Sequence, residues 1–156
     1  MIKIIKYFFV LLYLNSCGYS PIYELNQKLD FKLGIVNFSG NKKISREIEK
    51  GLEKFKNNES QNIFDLDFVV TKKEIVVTKD KKGDPSSFKI TIELDLDLTS
   101  KSNGRTFTKN FIKETTFSSM DNKFELDQYK NNIEKNMISK ILQDMSIFFD
   151  TIQNDL

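Results

Sequence analysis

The stretch from Phe88 to Leu98 limits the fold more sharply than any other part of the chain. Phe88, Ile90, Ile92, Leu94, Leu96 and Leu98 alternate without a break with Lys89, Thr91, Glu93, Asp95 and Asp97. A period of two belongs to a β-strand with one apolar and one polar face. The apolar face must be covered and the polar face stays wet or meets a polar partner. Ser102-Asn103-Gly104 follows with an Asn-Gly hairpin turn, and residues 105–117 return as another strand. Phe107 and Phe111 share a face there, and Phe117 is expected to need a change of phase to join them.

Upstream, Phe64, Leu66, Phe68 and Val70 alternate with Asp65, Asp67 and Val69, and Ile75-Val76-Val77-Thr78 continues extended structure. The phase is uneven between these runs, which points to a bulge. Residues 79–85 (KDKKGDP) form a polar loop. In 29–38, Leu29, Phe31, Leu33 and Ile35 fall on one face, with Gly34 a bulge candidate. Ser39-Gly40-Asn41 makes a turn.

Two segments carry a helical period. Ile44, Ile48, Leu52 and Phe55 form one stripe within 44–56, interrupted by Gly51. Leu126, Tyr129, Ile133, Met137, Ile141, Met145, Phe148 and Ile152 form a longer stripe in 124–153, with no Gly or Pro from Asn122 to Leu156. The order β-α-β-β-β-α predicts an α+β fold. It is a two-layer sandwich with a mostly antiparallel four-stranded sheet and two helices on one face.

Composition narrows function by exclusion. The chain has 156 residues, no histidine and one cysteine. The common catalytic triads and most zinc sites need histidine, and one cysteine builds no disulfide framework. The expectation is a non-enzyme without a cofactor or metal.

The amino terminus is read as a secretory signal over residues 1–16. Lys3 and Lys6 precede an apolar run from Tyr7 to Leu14, and Cys17 follows. Leu14-Asn15-Ser16-Cys17 resembles a bacterial lipobox, which makes Cys17 the lipidation site. Lipidation also removes an unpaired thiol from an oxidising compartment. By resemblance to sorting signals, Gly18 after the cysteine favours the outer membrane. Residues 17–28 read as a lipidated tether and 29–156 as one periplasmic domain. Losing Lys3 and Lys6 leaves 22 basic against 22 acidic side chains, so a general nucleic-acid partner loses its electrostatic footprint.

Cys17-Gly18-Tyr19-Ser20-Pro21-Ile22-Tyr23 resembles the Cys-Gly-aromatic-X-Pro-aliphatic-Tyr start of the LptE family of lipopolysaccharide-assembly lipoproteins. The order of elements over the mature chain is also similar. The resemblance implies a non-catalytic outer-membrane lipoprotein on the periplasmic side. It would plug the large LptD barrel, help it assemble and bind lipopolysaccharide. It also implies basic contacts for lipid A phosphates in the turn between the second and third strands and beside the last helix. Lys81, Lys82 and Lys123 stand there, and a solvated charged turn is the plainer reading of the loop lysines. The remaining alternative is a generic outer-membrane lipoprotein domain that binds another periplasmic protein or a small ligand. Asp65, Asp67, Glu93, Asp95 and Asp97 are expected on an exposed sheet face, paired with lysines rather than holding a cation.

Overall fold

The computed structural model describes residues 31–56 and 59–154; the signal, Cys17 and the tether lie outside them. Strand β1 (Lys32–Gly40) is followed by helix α1 (Lys42–Lys56). Strands β2 (Ile63–Lys79), β3 (Pro85–Ser100) and β4 (Thr106–Ser118) come next, and helix α2 (Lys123–Asn154) is last. The four strands form one sheet in the order β1-β2-β3-β4. β1 pairs parallel with β2 through the α1 crossover, and the other two pairings are antiparallel. This is the α+β sandwich expected from the periodicities.

β3 lies inside the sheet, and its apolar face is the floor of the core. Ile90, Ile92, Leu94, Leu96 and Leu98 are buried, as are Phe64, Leu66, Phe68 and Val70 of β2. The β3–β4 register is unbroken and sets Phe88 opposite Phe117, Leu94 opposite Phe111 and Leu98 opposite Phe107. Phe117 therefore shares the face of Phe107 and Phe111. The expected phase change is corrected, because all three positions are an even number of residues apart. In β1 the pairing slips between Leu33 and Val36. That irregularity at Gly34 turns Ile35 outward and brings Val36 and Phe38 against the core.

Gly40 closes β1 at a φ of 87°, and a Cβ there would stand 2.1 Å from the Val70 carbonyl oxygen. Asn41 then starts α1: its Oδ1 accepts from the Ile44 N–H at 3.2 Å and its carbonyl from the Ser45 N–H at 2.9 Å. Gly51 faces α2, where a Cβ would meet Leu142 Cδ1 at 2.4 Å. The residue that weakens α1 as an isolated helix thus lets the two helices approach.

The long helix buries more than one stripe. Ile138 and Phe149, both outside the expected set, are buried, while Tyr129 is exposed. The cause is a wedge. Phe149 meets Phe31 and Phe55 edge-on at 5.5 and 5.6 Å, toward β1 and α1, and Phe148 meets Phe111 of β4 at 6.0 Å.

Beyond Val70 the core face of β2 turns polar, and ion pairs replace apolar packing. Glu134 of α2 is buried and binds Lys43 of α1 at 3.2 Å and Lys72 of β2. Lys130 binds Glu74 at 2.6 Å and lies over the rings of Phe88 and Phe117. Burial alone would raise the Glu134 carboxyl. The hydrogen bonds and charges of Lys72 and Lys43 outweigh it and hold the group below its ordinary range.

Two outcomes follow. Gly40→Ala should destabilise the domain by about 2 kcal/mol or more, since it combines a left-handed backbone with a backbone clash; chemical denaturation checks this. Glu134 has a folded pKa below its unfolded one. Its contribution is present above the unfolded value and is lost as pH falls through the folded one. Glu134→Gln should cost about 2 kcal/mol at neutral pH, with the gap to wild type closing in acid.

Candidate functional site

The hairpin between β2 and β3 gathers the loop lysines at one end of the sheet. Asp80 organises its tip. Its Oδ1 accepts from the N–H groups of Lys82 and Asp84 at 2.8 and 2.9 Å, and its carbonyl accepts from Gly83 at 3.1 Å. The carboxylate is spent on the turn backbone, and Lys79, Lys81 and Lys82 project exposed around it. Gly83 has a φ of 90°, which a glycine adopts at no steric cost.

β4 ends at the same place. Ser118 pairs with Ser87, and the Ser119 N–H donates to the Ser86 carbonyl at 2.9 Å. Four residues later α2 begins, capped by Asn122, whose Oδ1 accepts from Phe124 and Glu125 at 3.0 and 3.4 Å. Asn122 Nδ2 also donates to Glu125 Oε1 at 3.2 Å, a side-chain bond that holds the capping amide in place. Lys123 is the first residue of α2, and it is exposed. Strand pairing thus brings Lys81, Lys82 and Lys123 to one end of the domain, though they lie 41 positions apart in sequence at the nearest.

Sequence reasoning missed the apolar part of this end. Ile75, Val76 and Val77 are 54, 43 and 49% exposed, and Phe124 and Met120 beside Lys123 are 69 and 37% exposed. β1 stops opposite Val70, so among the described residues this part of β2 has a strand neighbour on one side only. Exposed Val76, Met120 and Phe124 at the same end as four lysines make an amphipathic surface, while Ile75, paired with Lys89, lies on the uncovered face of the sheet. It can offer ammonium groups to phosphates and apolar area to acyl chains. The available signal was an unbroken apolar run at 75–77, which cannot keep to one face of an alternating strand.

The carboxylates occupy the uncovered face of the sheet. The register sets Asp67 directly opposite Asp97. Their partners are mainly neutral, which corrects the expectation of lysine pairing. Asn37 Nδ2 donates to Asp67 at 2.9 Å, Thr108 to Asp97 at 2.6 Å, and Asn110 Nδ2 to Glu93 and Asp95 at 3.0 and 2.6 Å. Among the described residues only Asp65 of this set takes a lysine, Lys101 at 3.2 Å. Among the described residues no group of three or more histidine, cysteine, aspartate or glutamate side chains is arranged to hold a metal ion.

No protein-family model matches this sequence, and no curated protein matches it. The fold does have solved counterparts. It is similar to rare lipoprotein B from Shewanella oneidensis, with a TM-score of 0.55 and 8% identity, over 77% of this chain and 99% of that one. It is also similar to a protein from Caulobacter crescentus described as a lipoprotein, with a TM-score of 0.53 and 9% identity, over 77% of this chain and 90% of that one. The chain shares the fold of these two proteins. At such identities the likeness is one of architecture.

The opposed carboxylates give a sign test. Asp67→Asn should leave the domain as stable or raise stability by about 0.5 kcal/mol at low salt, because it relieves like charges directly across the ladder. Thermal unfolding at two ionic strengths measures it, and the gain should shrink as salt rises.

Proposed function

We propose that this chain is a non-catalytic outer-membrane lipoprotein, anchored through lipidated Cys17 on the periplasmic side. Its partner is an LptD-like β-barrel, which it plugs, and it assists the assembly of lipopolysaccharide at the outer membrane. The observation that carries the reading is the amphipathic end of the domain. Lys81, Lys82 and Lys123 stand at that end with exposed Phe124, Met120 and Val76. Lipid A offers phosphates beside acyl chains, the same pairing of chemistries. The Cys-Gly-Tyr-Ser-Pro-Ile-Tyr start and the likeness of fold to lipoproteins support it independently.

The mechanism is one of binding and placement. The ammonium groups act as point charges toward phosphate oxygens. The apolar side chains at the same end take up neighbouring hydrocarbon. The acyl chains on Cys17 hold the domain at the membrane, each buried methylene contributing about 0.8 kcal/mol. The polar outer sheet face suits the water-filled lumen of a large barrel.

Replacing Lys81, Lys82 and Lys123 together by Ala should lower lipopolysaccharide binding about tenfold or more at low salt, with thermal stability unchanged. Wild-type binding should itself weaken as salt rises. In cells, deletion should leave lipopolysaccharide short of the surface and the barrel poorly assembled. Intact mass should show a chain beginning at an acylated Cys17. Normal surface lipopolysaccharide and a correctly folded barrel in the deletion strain would contradict the reading and favour the generic lipoprotein.

A further inference from the structure

β4 is the last strand of the sheet, and one of its edges has no neighbour among the described residues. The direction of its backbone groups is fixed by two flanking bonds: the Ser100 N–H donates to the Arg105 carbonyl, and the Ser119 N–H to the Ser86 carbonyl. Odd-numbered residues therefore bond toward β3. Even-numbered residues from Thr106 to Ser118 present their N–H and C=O groups outward. Unlike the far part of β2, β4 keeps an unbroken register with its neighbour for its whole length.

A groove of about 470 Å³ opens along this edge between β4 and α2. Phe111 and Phe148 line it, and Ile112 and Ile147, 51 and 53% exposed, stand at its rim. This apolar patch sits at the middle of β4, since Ile112 is the midpoint of Thr106–Ser118.

We infer that β4 pairs antiparallel with β4 of a second copy, about a two-fold axis at Ile112, joining two sheets into one of eight strands. Side-chain complementarity selects this occupant. With Ile112 facing its own copy, Asn110 faces Glu114, Thr108 faces Thr116 and Thr106 faces Ser118 on the outer face. Phe107 faces Phe117, Lys109 faces Thr115 and Phe111 faces Lys113 on the helix side. No like charges are directly opposed, and an aromatic pair closes each end. Moving the axis one residue, to Phe111, would oppose Lys109 to Lys113 twice; an axis at Lys113 or Glu114 would oppose like charges at its centre. Inward lysines on an edge strand ordinarily discourage pairing. Here they discriminate between registers, and Lys113 is already bound by Asp144 at 2.5 Å. The pairing covers Ile112 and the groove from both copies. The pairing is centred on Ile112 and uses neither the loop lysines nor Lys123, although β4 ends at Ser118 near them.

The test uses the full chain with Cys17→Ser, so that an introduced cysteine is the single thiol. Ile112→Cys should oxidise to a covalent dimer, because opposed residues in such a pair stand about 5.5 Å apart, within disulfide reach. Thr106→Cys alone should stay uncrosslinked, its copies being about 40 Å apart. Mixed with Ser118→Cys it should give the mixed dimer. Ile112→Lys opposes two ammonium groups on the axis. It should weaken dimerisation at least about tenfold in sedimentation equilibrium, with an unchanged melting temperature at dilutions where both proteins are single chains. A single-chain mass for the unaltered edge up to about 100 μM would overturn the inference. So would a dimer that Ile112→Cys fails to crosslink, crosslinking of Thr106→Cys alone, or an edge that pairs only with a barrel protein.

Discussion

The sheet has one largely apolar face, and among the described residues two helices cover it. How that face is covered shapes the rest of the molecule. Where α1, α2 and the sheet all meet, phenylalanines fill the space: Phe31, Phe55, Phe64 and Phe149 interlock edge-on. Gly51 removes the side chain that would hold the helices apart. Farther along β2 and β3, where β1 and α1 have ended, α2 covers the sheet alone. There the core face of β2 changes from Phe68 and Val70 to Lys72 and Glu74, and α2 answers with Glu134 and Lys130. Long aliphatic stems close the edge while their charged ends pair.

Most of the fold was legible because the sheet has one wet face. Strict alternation in 88–98 fixes both the strand and its orientation, and two helical stripes fix what covers it. The details that escaped are those where one residue answers to two neighbours. Phe149 rather than Phe148 is the fully buried aromatic, because α2 packs against β4 on one side and against α1 and β1 on the other. Lys72 and Glu74 continue the buried phase of β2, yet a search for apolar periodicity passes over them. Lys81 and Lys82 are visible in the sequence as a turn. Their convergence with Lys123 depends on the pairing of Ser118 with Ser87, a long-range fact that no local pattern encodes.

The surfaces divide by chemistry. The uncovered sheet face carries carboxylates satisfied mainly by asparagine and threonine. The hairpin end carries lysines beside exposed apolar side chains. The β4 edge carries an apolar groove and a self-complementary strand. A domain without a catalytic constellation among its described residues would act through such faces, with affinity set by placement of charge and apolar area. The acidic face and the basic end also orient the domain in any charged enclosure, since the two would be drawn to opposite potentials.

The central claim is that this domain works in complex with an outer-membrane barrel in lipopolysaccharide assembly. The most direct measurement is gentle detergent extraction of the lipidated protein from its own membranes, followed by identification of what stays bound through size separation. A stoichiometric outer-membrane β-barrel of large mass is expected, with lipopolysaccharide in the same fraction. Recovery of the lipoprotein free of any barrel, under conditions that preserve other outer-membrane complexes, would contradict it.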